Sequence, residues 1–139
     1  MKKHLLFIYI AAIVGLALNI AGCGPQKIVL VPVEGHLTLN GEPVEGVSVC
    51  LTPKEVDGRL SAGATTDAEG HFVLSCGNET GCSPGEYTVS VVKIEHTGDS
   101  MLNTQIINHL PLQYADPASS GLTATVTKGM EPLKFDLTQ

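Results

Sequence analysis

Four of the five histidines (His36, His71, His96 and His109, all after Cys23), four cysteines and a single arginine, Arg59, are the side chains from which a reaction centre would have to be built. Nucleophilic catalysis needs a serine or cysteine activated by a histidine that a carboxylate orients. The one G-x-S-x-G string, around Ser83, leads into the alternating run Tyr87, Val89 and Val91 rather than into a helix, so it lacks the strand-turn-helix setting of a nucleophile elbow. His36 and His71 fall on the polar side of alternating segments, where an imidazole is solvated rather than poised. Metal chemistry fares no better. Cys76 and Cys82 stand as C-x5-C with no histidine at ligand spacing, unlike zinc sets. Asp67 and Glu69 share one turn and Asp57 sits in a neighbouring loop, too few oxygens for a cation that takes six to eight. The expectation is a non-catalytic chain with no metal and no cofactor.

Cys23 is the cysteine with a chemical context. Lys2 and Lys3 form a cationic start, Leu5 to Ile20 an uncharged apolar run, and the small residues Ala21 and Gly22 precede Cys23. The run is shorter than the ~20 residues that span a bilayer comfortably, which favours a cleaved signal over a permanent anchor. The ending "LNIAGC" resembles the bacterial lipobox: small residues pass the signal peptidase, and only a thiol accepts the diacylglyceryl group as a thioether. Residues 1–22 are therefore expected to be a signal peptide cut between Gly22 and Cys23. Residues 23–29 would be a lipidated tether, and residues 30–139 one domain. Two or three acyl chains, at ~0.8 kcal/mol per buried CH₂, hold firmly to a membrane. The expected location is the cell envelope, on the outer membrane or the periplasmic face rather than the cytoplasmic one.

Cutting at Cys23 removes Lys2 and Lys3 and moves the formal charge from −6 to −8. So acidic a body has no electrostatic footprint for nucleic acid. Export would place Cys50, Cys76 and Cys82 in an oxidising compartment, with one disulfide and one leftover thiol. Cys76 and Cys82 flank the turn-rich "GNETG" and are the expected pair; Cys50 with either one is the alternative.

The elements that would position these side chains are strands. Val31, Val33, Leu37 and Leu39 alternate with Glu34, His36 and Thr38; Val47, Val49 and Leu51 alternate with Ser48, Cys50 and Thr52. Ala62 to Thr66 forms a weaker third segment. Phe72 and Leu74 follow a tight Asp67–Gly70 turn; Tyr87, Val89 and Val91 follow Pro84-Gly85. Leu122, Ala124 and Val126, then Leu133, Phe135 and Leu137, complete about seven short strands separated by Gly, Pro, Asn and Asp. Period-two alternation between such turns predicts an all-β sandwich. From Glu95 to Ser120 the rhythm fails, and Leu110, Leu112 and Tyr114 are expected to lie over an open end of that sandwich.

The segments "VEGHLTLNGEPVEGVSVCLTP", "ATTDAEGHFVL" and "PGEYTVSVVK", in that order, resemble the carboxypeptidase regulatory-like domain family. The tail "LPLQYADPASSGLTATVTKG" is similar to that of short bacterial envelope lipoproteins built from this one domain. The resemblance implies a Greek-key, transthyretin-like (prealbumin-like) sandwich. It carries Gly35, Pro43, Gly46, Asp67, Gly70, Phe72, Pro84, Gly85 and Tyr87 over as turn and core positions, none as a catalyst. The transthyretin fold also hosts hydroxyisourate hydrolase, but the Tyr-Arg-Gly-Ser ending of that family is replaced here by "KFDLTQ".

Taken together, the sequence points to a membrane-tethered envelope lipoprotein acting as a structural or protein-interaction module. The alternative is a glycan- or peptide-binding module using Glu95–Ser120, in which Tyr114 would be the one aromatic platform for a sugar. Hydrolase activity stands third. The sequence names no partner.

Overall fold

The computed structural model describes residues 29–97 and 105–139. The expected signal peptide, the Gly22–Cys23 cleavage point and all of the tether before Val29 lie outside the described residues. Each of the seven alternating segments is a strand: β1 (Glu34–Leu39), β3 (Ser48–Pro53), β4 (Ala62–Thr65), β5 (His71–Val73), β8 (Gly85–Val92), β11 (Leu122–Val126) and β12 (Leu133–Leu137). Between them lie three two-residue strands, β2 (Glu42–Pro43), β6 (Ser75–Cys76) and β7 (Glu79–Thr80). A hairpin, β9 (Ile94–Thr97) and β10 (Gln105–Asn108), and a 3-10 helix, Leu112–Ala115, complete the set.

The strands form two packed sheets. One runs β12-β1-β2, with β5 also on β1; the other runs β11-β8-β3-β4-β6-β7. Alternation decides which side chains meet between them. Leu37, Val49, Leu51, Phe72, Leu74, Tyr87, Val89, Val91 and Leu137 are all sealed from solvent. The Phe72 and Phe135 rings stack with centroids 6.2 Å apart. Burying each such side chain contributes roughly 1.5–3 kcal/mol against chain entropy.

Of the residues that carry the resemblance, Phe72 and Tyr87 are buried and Pro43 is exposed on β2, and two glycines show a steric reason for their type. Gly70 is at φ +72, and a Cβ there would run into the Leu37 carbonyl, so only glycine closes the Asp67–Gly70 turn against β1. Gly35 lies under the Phe72 ring, which occupies the space a side chain would need. Tyr87 is a tyrosine corner: its hydroxyl donates to the Ser83 carbonyl at 2.8 Å, pinning the chain just before β8.

Register distinguishes the two ends of the sandwich. Val31 bridges Cys82, just before β8 begins, so the chain comes into the domain at that end. Ser48 pairs with both Thr65 and Val92, and the Asp67–Gly70 turn leads from there to β5. The hairpin therefore leaves from the end opposite the one where Val29 lies.

Cys50, Cys76 and Cys82 are all free thiols in the structure, so the expected Cys76–Cys82 bond is not formed. The register gives the reason. Cys76 pairs with Glu79, whereas Cys82 stands three residues further along the return strand. That offset is about 10 Å of extended chain, and a disulfide needs Cα atoms within roughly 7 Å. Cys50 lies on the outer face of β3 opposite Gly63 and Ser90, away from both.

Candidate functional site

Side chains capable of chemistry gather in three places. On the outer face of the first sheet, antiparallel pairing sets His36 directly across from His71, with ring centroids 5.0 Å apart. His71 Nε2 lies 3.4 Å from Glu34 and its Nδ1 lies 3.6 Å from Asp67. Asp67 is also the turn's own brace, its Oδ1 accepting from the Glu69 and His71 amides at 3.1 and 2.8 Å. Both carboxylates thus serve to orient His71, and no serine, threonine or cysteine hydrogen-bonds either ring among the described residues. Nor does any group of three His, Cys, Asp or Glu side chains there have the geometry for a metal ion. Asp57 and Asp67, expected in neighbouring loops, lie at opposite ends of β4 and cannot share a cation.

The second cluster surrounds Arg59. Its Nε binds Asp57 at 2.8 Å, its Nη1 donates to the Pro84 carbonyl at 3.3 Å, and its guanidinium lies 5.5 Å from the centre of the Tyr87 ring. The guanidinium holds the Asp57 carboxyl below its ordinary range. Gly85 leaves the space that Arg59 fills. Burial pushes the Tyr87 phenol and the Cys82 thiol up, so both stay protonated at neutral pH. A protonated thiol is a poor nucleophile. This is a latch that ties the loop after β3 to the start of β8.

The third place is the stretch where alternation failed in the sequence. It folds into the β9–β10 hairpin, which continues β8 beyond the sandwich as a separate two-stranded sheet. Asn108 anchors its base, its Oδ1 accepting from the amides of Lys93 and Leu110 at 3.1 and 3.2 Å. His109 Nε2 meets Glu95 at 2.7 Å. Leu110 and Tyr114 are buried as expected, and the Tyr114 hydroxyl lies 3.2 Å from the Thr138 carbonyl. Leu112 departs from expectation: at 77% exposure it caps nothing, because the 3-10 turn directs Tyr114 inward and Leu112 out. With its ring buried, Tyr114 offers no platform to a sugar.

What the hairpin exposes is aliphatic. Ile94, Ile106 and Ile107 are 49, 66 and 42% exposed. A two-stranded hairpin is marginal in water on its own, and this one turns isoleucines outward on both faces. Sequence reasoning placed the segment as a surface element without seeing its strands. The signal was the β-branched residues of "KIEHT" and "TQIIN" on either side of the Gly98-Asp99 dipeptide. At the other end of the molecule, Pro32, Val33, Val73, Met130 and Pro132 form a groove of about 240 Å³ beside Glu34 and Glu131. No described helix is long and apolar enough to cross a membrane.

No family model, no curated protein and no solved structure matches the chain.

Proposed function

We propose that this protein is a lipid-tethered module of the cell envelope, of the carboxypeptidase regulatory-like kind, that works by holding another protein rather than by catalysis. The observation that carries the reading is the β9–β10 hairpin, whose exposed isoleucines stand at the end away from Val29. A tether of residues 23–29 reaches at most about 25 Å, which keeps the Cys82 end of the sandwich near the bilayer. From Gly85 to Thr97, β8 and β9 span up to about 40 Å. The hairpin is thus carried outward from the lipid, toward whatever the envelope presents. The order of the motifs and the places their residues take in turns and core support the family assignment. The lipobox-like "LNIAGC" supports the anchor.

Two measurements test this. Intact mass of the membrane-extracted protein should give a species beginning at residue 23 with added acyl mass, lost in Cys23→Ala. A chain of unprocessed length would sink the anchor. A photo-crosslinker placed at position 106 in living cells should capture a discrete protein, and one placed at Thr125 on the outer face of β11 should not. Equal capture at both positions, or at neither, would remove the interaction reading.

A further inference from the structure

Protein sheets usually blunt their exposed edges with lysine, proline or a bulge. The strands β9 and β10 contain none of these; Glu95 is their one charge. Phase is set at the hairpin base, where the His109 amide donates to the Lys93 carbonyl at 2.9 Å. In an antiparallel pair the bonded positions alternate, so Glu95 and Thr97 bond toward β10. The amides and carbonyls of Ile94 and His96 then point away from it. They find no partner strand among the described residues. The outer edge of β9 is an open template.

Its two faces differ. Ile94 and His96 share one with Ile106 and Asn108, while Glu95 lies on the other with Ile107. A strand added beside β9 would set an apolar side chain next to Ile94 and a facing side chain next to the Glu95 carboxylate. Charge around that end is one-sided. Exposed Glu42, Glu45, Asp67 and Glu69 lie in the turns at the same end of the sandwich from which the hairpin leaves, and Lys93 stands at the junction.

Resting on the interaction reading above, we infer that the outer edge of β9 takes up, as an added strand, an extended segment of another protein in which lysine or arginine alternates with aliphatic residues. A second copy of the chain fits this edge poorly, because two such acidic ends would be brought together.

The test uses the full chain extracted in detergent and two labelled, end-blocked seven-residue peptides, one alternating lysine with valine and one alternating glutamate with valine. Fluorescence anisotropy should show the lysine peptide binding at least tenfold more tightly than the glutamate peptide, and weakening several-fold between 50 and 300 mM salt. The double substitution Ile94→Asn, Ile106→Asn should weaken it a further tenfold with the thermal midpoint unchanged. Val56→Asn, on an exposed loop at the opposite end, should not. Equal affinity for both peptides, no binding of either, indifference to the double substitution, or crosslinking of two copies through Ile94 would each overturn the inference. In-cell capture at position 106 without peptide binding would overturn this inference alone; absence of capture would remove the reading beneath it.

Discussion

Three edge strands of the sandwich, β12, β2 and β7, and the edges of the hairpin are built on different rules, while β11, with no charge or proline, stands between them. Along the outer strand β12, Lys134 and Asp136 turn charge to solvent; β2 carries Pro43, and β7 is two residues long with Glu79 exposed. Each device makes it costly for another strand to pair there. The hairpin has four-residue strands, exposed isoleucines on both faces, no proline or lysine, and Glu95 as its one charge. The same chain that guards those three edges leaves the extension of β8 with less protection. Stability and availability have been placed in different parts of one molecule, joined through Lys93 and the Asn108 side chain.

The largest effect that would sharpen this contrast lies in the core. Phe72→Ala removes the ring stacked on Phe135 and covering Gly35, and should cost about 3–5 kcal/mol in urea unfolding. A loss under 1 kcal/mol would mean the two sheets do not meet as described. Gly70→Ala combines a left-handed backbone with a collision against Leu37, and should cost about 2–3 kcal/mol by the same measurement.

Next come the joints. Tyr87→Phe deletes the bond to Ser83 and should cost about 1–2 kcal/mol at neutral pH. It should also change the alkaline limb. Because burial raises the folded pKa of Tyr87 above its ordinary value of 10.0, the folded state holds its proton more tightly than the unfolded chain. That contribution is complete below pH 10 and is lost as pH rises beyond it. The Cys82 thiol adds to the same slope from about pH 9. Stability should therefore fall above pH 9–10 in the natural protein and fall less steeply in Tyr87→Phe; parallel slopes would contradict the assignment. Arg59→Ala should lower the urea midpoint by less than Tyr87→Phe does, through lost contact with Tyr87 and the Pro84 carbonyl.

The smallest effect on stability belongs to the hairpin, and it would break the comparison most directly. Ile106→Lys should change the unfolding free energy by no more than about 0.5 kcal/mol, while abolishing capture at the β9 edge. Hydrogen exchange should find the amides of β9 and β10 opening well before those of β3 and β8. If both sets opened together, the hairpin would belong to the cooperative core.

The seven strands of the sandwich were legible because each has one wet and one dry face, which writes alternation directly into the sequence. The Asp67–Gly70 turn was legible for a local reason, an aspartate bracing amides two and four residues ahead. The hairpin was obscured because Ile106 and Ile107 are neighbours on opposite faces and both face solvent, so no alternation exists to be read. The burial of Tyr114 depends on Thr138, and the His36–His71 pair on the register between β1 and β5. Neither is a local property. Cys76 and Cys82 teach the converse: closeness in sequence around a turn suggested a bond, and a three-residue offset in register keeps them apart.

One pairing carries a consequence for how the chain comes to be folded. The strand β1 lies parallel to β12, with Gly35 beside Leu133. Closing a loop of that length costs ~4 kcal/mol of chain entropy before any contact offsets it, and topologies rich in such distant pairings fold slowly. Until residues 133–137 have been made, β1 lacks that neighbour and Phe72 lacks its stacking partner, so the first sheet is incomplete on a shorter nascent chain. A polypeptide whose first sheet waits for its last strand stays longer in an open form.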